Sequence, residues 1–189
     1  MKQLRSLLVG AFLVAGSWLL ADGIYIEAKA WLAQRLLQDA WLETRSGAER
    51  VRPWPWADTW PVARLQVERL GVDQVVLSGA SGRTLAFAPG HIDGTATPGR
   101  GGNSVISGHR DTHFHFLRSL RRGDIIDLTL PDGRGLRYAV TRRSIHDERD
   151  TWLLDQSLTR LTLITCFPFD ALVPGGEKRY VVIAKPVLI

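Results

Sequence analysis

Leu161-Thr162-Leu163-Ile164-Thr165-Cys166 is the stretch on which the fold of this chain turns. It is a short apolar run rich in β-branched residues, the composition of a strand. It stops at Phe167-Pro168, where proline has no N–H to continue regular pairing. Outward from it the same signal recurs. Val62 to Leu70 alternates over part of its length, and Val75-Val76-Leu77 ends at Ser78-Gly79. Asn103 to Ser107, Asp124 to Leu130, Leu136 to Ile145 and Tyr180 to Ala184 complete the set. Asp132-Gly133 is a hairpin turn between two of these runs. No helical run of convincing length follows Pro61. Many short strands at near-regular spacing predict a mainly β domain over 61–189, a closed or nearly closed barrel.

The segments before the barrel read differently. Lys2 and Arg5 precede an uncharged run from Leu7 to Ala21, and after Asp22 the apolar stretch resumes through Ile26. That length suits a bilayer span of about 20 residues, so 1–26 is expected to be a membrane anchor, with a cleaved signal sequence as the rival. Residues 27–43 place Ala28, Trp31, Leu32, Leu36, Ala40 and Trp41 near one face and predict an amphipathic helix. Residues 44–60 carry Arg52-Pro53-Trp54-Pro55-Trp56. Two prolines so close forbid a helix, so this is a linker or a strap across a domain surface.

Composition limits the function classes. A hydrophobic content of 45% supports a sizeable core. The formal charge of +5 is scattered along the chain, and its tightest cluster, Arg118 to Arg122, lacks interleaved aromatics, so nucleic-acid binding is not expected. One cysteine excludes an intrachain disulfide and a thiolate cage for zinc. No metal or cofactor is expected.

Three residues suit nucleophilic acyl transfer. Cys166 closes its strand at the edge of a loop, where a rigid scaffold can present a thiol; the alternative is a buried apolar cysteine. His109 follows Val105-Ile106-Ser107-Gly108, another strand running into a polar loop, and this sets it apart from His91, His113, His115 and His146. His91 reads as a loop residue, and His113 to Phe116 as a partly exposed aromatic stretch. Arg179 opens the last strand. A guanidinium there can stabilise charge developing on a carbonyl oxygen.

Taken together these residues resemble the sortase family. The likeness covers roughly 53–189. It rests on Thr162-Leu163-Ile164-Thr165-Cys166, on Gly108-His109-Arg110-Asp111 and on Arg179 before Tyr180-Val181-Val182. Pro53 to Trp56, Pro89 to Ile92, Gly94-Thr95-Ala96 and Gly101-Gly102-Asn103 extend it. It is nearest to class D-like enzymes, in particular the class GN subgroup of Gram-negative proteobacteria.

The resemblance implies a sortase β-barrel of about eight strands with short helices, preceded by the anchor helix. It implies a Cys166 thioester formed on the C-terminal sorting signal of an exported protein and passed to an amine acceptor. His109 would act as acid and base, and Arg179 would stabilise the oxyanion. Thr165 is expected to line the peptide groove, and Asp111 to orient a neighbour on the substrate-binding side. The catalytic domain would lie on the periplasmic side of the inner membrane. Hydrolysis by a cysteine peptidase is one rival reading, and a membrane-tethered, non-catalytic envelope scaffold is another. An L,D-transpeptidase is disfavoured, because that family keeps its histidine and cysteine close together in one segment.

Overall fold

In the computed structural model, residues 2–171, 173 and 175–187 are described. The chain divides into two compact units, one up to Leu36 and one from Leu37 onward. A single helix, α1 (Lys2–Arg45), runs without interruption through the segments expected as anchor and amphipathic helix. In the first unit it leaves Phe12, Leu13, Trp18, Leu19 and Ile24 exposed. Among the described residues no helix is long and apolar enough to cross a membrane. The side chains of Leu4, Leu7, Leu8, Val9 and Ala11, which carry much of the expected span, lie outside the described residues.

The second unit is built on eight strands: β1 (Pro61–Val67), β2 (Val72–Ser78), β3 (Gly90–His91), β4 (Asn103–Ser107), β5 (Ile125–Thr129), β6 (Gly135–Asp147), β7 (Arg160–Phe167) and β8 (Lys178–Pro186). They close in the order β1-β2-β3-β4-β7-β8-β6-β5, with β5 returning to β1. Closure leaves no open edge and encloses an interior that side chains alone can fill. Leu65, Ile106, Ile126, Leu128, Leu161, Leu163 and Val182 fill it, together with Phe114, Leu117 and Leu120 from the segment after β4. A barrel was expected, and it is found closed.

One strand was not expected. Gly90-His91 reads as loop, yet it bridges β2 in parallel and β4 antiparallel. A β-carbon on Gly90 would lie 2.1 Å from the Gly79 carbonyl oxygen, so only glycine permits this approach. The Pro/Trp-rich segment lies against β2. Thr59 Oγ1 donates to Ser78 O at 2.7 Å, Ser78 N donates to Trp60 O at 2.8 Å, and the Trp54 ring meets Phe87 edge-on at 4.7 Å.

Two side-chain layers alternate along the strands that matter for function. On β7, Leu161 and Leu163 point into the barrel, whereas Ile164 belongs to a second cluster with Val105, Leu153, Val181 and Ile183. Strand periodicity places Cys166 on the Ile164 side.

Candidate active site

The pairing of β4, β7 and β8 brings the three expected residues to one rim. β4 runs parallel to β7, with Ser107 opposite Ile164. Two parallel strands end at the same side of a sheet, so the residues just past Ser107 and Ile164 emerge together. Gly108 N donates to Ile164 O at 3.2 Å, and Thr165 Oγ1 donates to Gly108 O at 2.7 Å. His109 is the next residue of one chain segment and Cys166 the next of the other. On the far flank β8 is antiparallel to β7, and Cys166 stands directly opposite Arg179. Directly opposed residues present their side chains on one face, so Cys166 and Arg179 share the face floored by Ile164, Val181 and Ile183.

Local sequence explains each placement. The β-branched run carries β7 as far as Cys166, and Pro168 ends its pairing. The chain then folds back over the barrel end. Phe169 packs against the interior cluster and edge-on to Tyr180 at 5.1 Å, while Phe167 stacks on Tyr180 at 6.2 Å. Gly108 is required by Phe114, whose ring passes so near that a β-carbon at Gly108 would lie 2.7 Å from Cγ. Phe114 is fully buried. The stretch from His113 to Phe116 is partly exposed, as its composition predicts, with His115 exposed and Phe114 alone driven fully into the core.

Cys166 is a free, half-buried thiol, and His109 is exposed. Arg179 turns its fork to the neighbouring loop: Nη2 donates to Glu148 Oε2 at 2.6 Å, and Nη1 to Gly176 O and Lys178 O at 2.6 and 3.0 Å. These bonds use three of the five donors of a guanidinium. Thr165 does not line a groove as expected. It is 2% exposed and its hydroxyl is spent on Gly108, so it braces the histidine loop from within. Asp111 grips Arg110 through both carboxylate oxygens, at 2.6 and 2.9 Å. Arg110 is itself buried and donates to Pro168 O and Ala171 O. The hydrogen bonds from Arg110 hold the Asp111 carboxyl below the usual carboxylate range, helped by the charges of Arg110, His115 and His109.

The other histidines have structural partners. His91 Nε2 lies 3.0 Å from Ala96 O and 3.1 Å from Thr95 Oγ1. His113 is pushed down by burial and by the charge of His109. His146 is opposite Arg179 on β6, in the same cross-strand row as Cys166, but two strands from the thiol, about 10 Å at ordinary strand spacing. Its ring nitrogens lie 2.7 Å from Ser144 Oγ and 3.3 Å from Asp150 Oδ2, and its ring meets Trp152 edge-on. His109 is the histidine whose chain position the β4–β7 pairing sets beside that of Cys166. Among the described residues no group of three or more His, Cys, Asp or Glu side chains could hold a metal ion.

Two residues escaped the sequence reading. Arg110 enters the sequence reading only as part of Gly108-His109-Arg110-Asp111, with no role of its own, and only its burial reveals its contacts. Glu148 carries no local signal, and its contact with Arg179 follows from the β6–β8 pairing.

Comparison with known proteins agrees with the barrel fold. The model of the Sortase domain family matches residues 65–187. Sortase D of Bacillus subtilis (strain 168) is 31% identical over 125 residues, covering 65% of this chain, and the chain spans 62% of that relative's length. The structure of a Clostridium perfringens Sortase D5 transpeptidase is 31% identical, with a TM-score of 0.59 over 67% of this chain and 79% of that one. Sortase A from Corynebacterium diphtheriae is 28% identical, with a TM-score of 0.63 over 71% and 64% of the two chains.

Proposed function

This chain belongs to the sortase family, and on that footing we propose that it is a cysteine transpeptidase acting on the C-terminal sorting signal of an exported protein. The observation that carries the reading is the common rim: Cys166 at the end of β7, Arg179 directly opposite it on β8, and His109 one residue beyond the β4 segment that Thr165 binds.

The Cys166 thiolate attacks a backbone carbonyl carbon of the signal, forming a C–S bond and an oxyanion. Arg179, together with backbone amides, stabilises that oxyanion. The C–N bond then breaks, His109 protonates the departing amine, and a thioester remains on Cys166. An incoming amine gives its proton to His109 and attacks the thioester carbonyl, and the thiolate leaves. Water in place of the amine gives hydrolysis. The reading needs no metal or cofactor.

The finer assignments are part of the same proposal. The motif likeness to class D-like enzymes supports placement in the Gram-negative subgroup. The exposed apolar side chains between Phe12 and Trp31 support a role for the first unit in tethering the barrel to the inner membrane, with the catalytic rim on the periplasmic side.

The test is to incubate the full chain with a degenerate pool of peptides carrying C-terminal signals and to weigh the intact protein. The expected result is an acyl adduct on the wild-type chain that hydroxylamine releases. Cys166→Ala should form no adduct while keeping its far-UV spectrum and melting temperature. Adduct formation in Cys166→Ala would overturn the assignment.

A further inference from the structure

Arg110 has no part in the scheme above, yet it is among the most constrained cations of the barrel. An arginine is almost never this buried unless it is paired, and Arg110 is 4% exposed. Its Nε and Nη2 hold Asp111 Oδ1 and Oδ2 at 2.6 and 2.9 Å. Its Nη1 donates to Pro168 O at 2.7 Å and its Nη2 to Ala171 O at 3.0 Å. The Asp111 side chain is 60% exposed, so the carboxylate caps the guanidinium from the solvent side. The two carbonyls belong to the turn that leaves β7 after Phe167, the residue next to Cys166. One planar fork therefore ties the loop bearing His109 to the chain leaving the thiol. An ammonium cannot reproduce that geometry.

We propose that Arg110 is a positioning residue for acyl transfer: its fork fixes the turn Pro168–Ala171 against the His109 loop, and it carries a positive charge to Pro168 O, two residues beyond Cys166. This rests on Cys166 being the nucleophile. The charged and titratable groups around the pair are His109 and Asp111 on the same loop, His115 in the following helical turn, Asp170 after β7, and Lys178 and Arg179 across on β8. The hydrogen bonds to Asp111 raise Arg110 further above its already high ordinary value, with the charges of Asp111, the Cys166 thiolate and Asp170 acting in the same direction. The guanidinium is thus a permanent cation held 2.7 Å from Pro168 O, two residues beyond the thiol.

The single cysteine makes the test direct, because every alkylation event on the full chain reports Cys166. Rates with anionic iodoacetate and neutral iodoacetamide are compared at one pH and low salt. The same thiolate attacks both reagents, so their ratio cancels the ionised fraction and reads the local field. Arg110→Gln should lower the iodoacetate-to-iodoacetamide ratio roughly two- to fourfold, the effect of removing one charge at close range in a partly solvated site. Arg110→Lys should keep the ratio. It should still slow acyl-adduct formation from the peptide pool by about tenfold or more, because the fork is lost. If Arg110→Gln does not fold, Asp111→Asn takes its place and should raise the ratio, since it unmasks the guanidinium.

A purely structural arginine would move the melting temperature and both alkylation rates together. An unchanged ratio in Arg110→Gln, or in Asp111→Asn, overturns the charge role. Wild-type acylation rates in Arg110→Lys overturn the positioning role. If native Cys166 reacts with neither reagent but reacts in urea, the nucleophile assignment falls, and this inference falls with it.

Discussion

Replacing Thr165 by valine isolates one hydrogen bond at the heart of the proposed site. The two side chains have nearly the same shape, so the change opens no cavity and removes only the hydroxyl. That hydroxyl donates to the Gly108 carbonyl at 2.7 Å, and both residues are buried. A buried polar group left without its partner costs about 1–3 kcal/mol. At about 2–4 °C per kcal/mol for a domain of this size, a cost of about 2 kcal/mol lowers the melting temperature by about 4–8 °C. The larger consequence is catalytic. The freed carbonyl lies one residue before His109, and a displacement of about 1 Å at a reacting group can cost about 10²-fold in rate. Thermal denaturation by circular dichroism reads the first effect, and the initial rate of acyl-adduct formation by intact mass reads the second. Thr165→Ser keeps the hydroxyl and loses about one methyl group of burial, about 1 kcal/mol, so it should retain most of the rate. A Thr165→Val rate within twofold of wild type, or a Thr165→Ser enzyme as slow as Thr165→Val, would refute the idea that this bond places the histidine.

Arg179→Lys is expected to slow acylation by about 10²–10³-fold with the melting temperature little changed, because one oxyanion donor is worth that much whereas a surface ion pair such as Arg179–Glu148 contributes about 0–1 kcal/mol; near-normal kinetics would remove Arg179 from the site. Gly108→Ala forces a β-carbon against the Phe114 ring and should cost about 1–3 kcal/mol in urea denaturation, with Phe114→Leu in the same background restoring part of it. Asp124 accepts from Arg69 Nε and Nη2 and from Arg121 N, and these bonds hold its carboxyl below the ordinary carboxylate value. A depressed folded value means the stabilisation is full above the unfolded carboxylate value and disappears as pH falls through the folded one, so the stability gap between wild type and Asp124→Asn should be constant near neutrality and close below about pH 4. A gap that stays constant to pH 2 would show that the pair does not stabilise the fold.

What the sequence made legible, and what it did not, follows from the range of the interactions. Seven strands announce themselves by short-range signals, β-branched composition and bounding turns. β3 does not, because Gly90-His91 has neither; it exists because two backbones approach closer than any side chain allows. Cys166 and His109 were readable as strand-end residues. Their adjacency was not, since it depends on β4 and β7 being parallel neighbours, a pairing between segments far apart in the chain. The same non-local register puts Arg179 opposite Cys166 and turns its fork to Glu148. Burial is the other hidden variable. Thr165 reads as a groove-lining residue because polar side chains are usually exposed, and nothing local marks Arg110 as buried. Here each has its polar atoms bonded inside the rim, Thr165 to the histidine loop, and Arg110 to both that loop and the turn after the thiol. The residues proposed as reactive were thus legible as local strand ends. The residues proposed to hold them in register, Thr165 and Arg110, act through tertiary contacts, which is why their replacement is the test that separates positioning from chemistry.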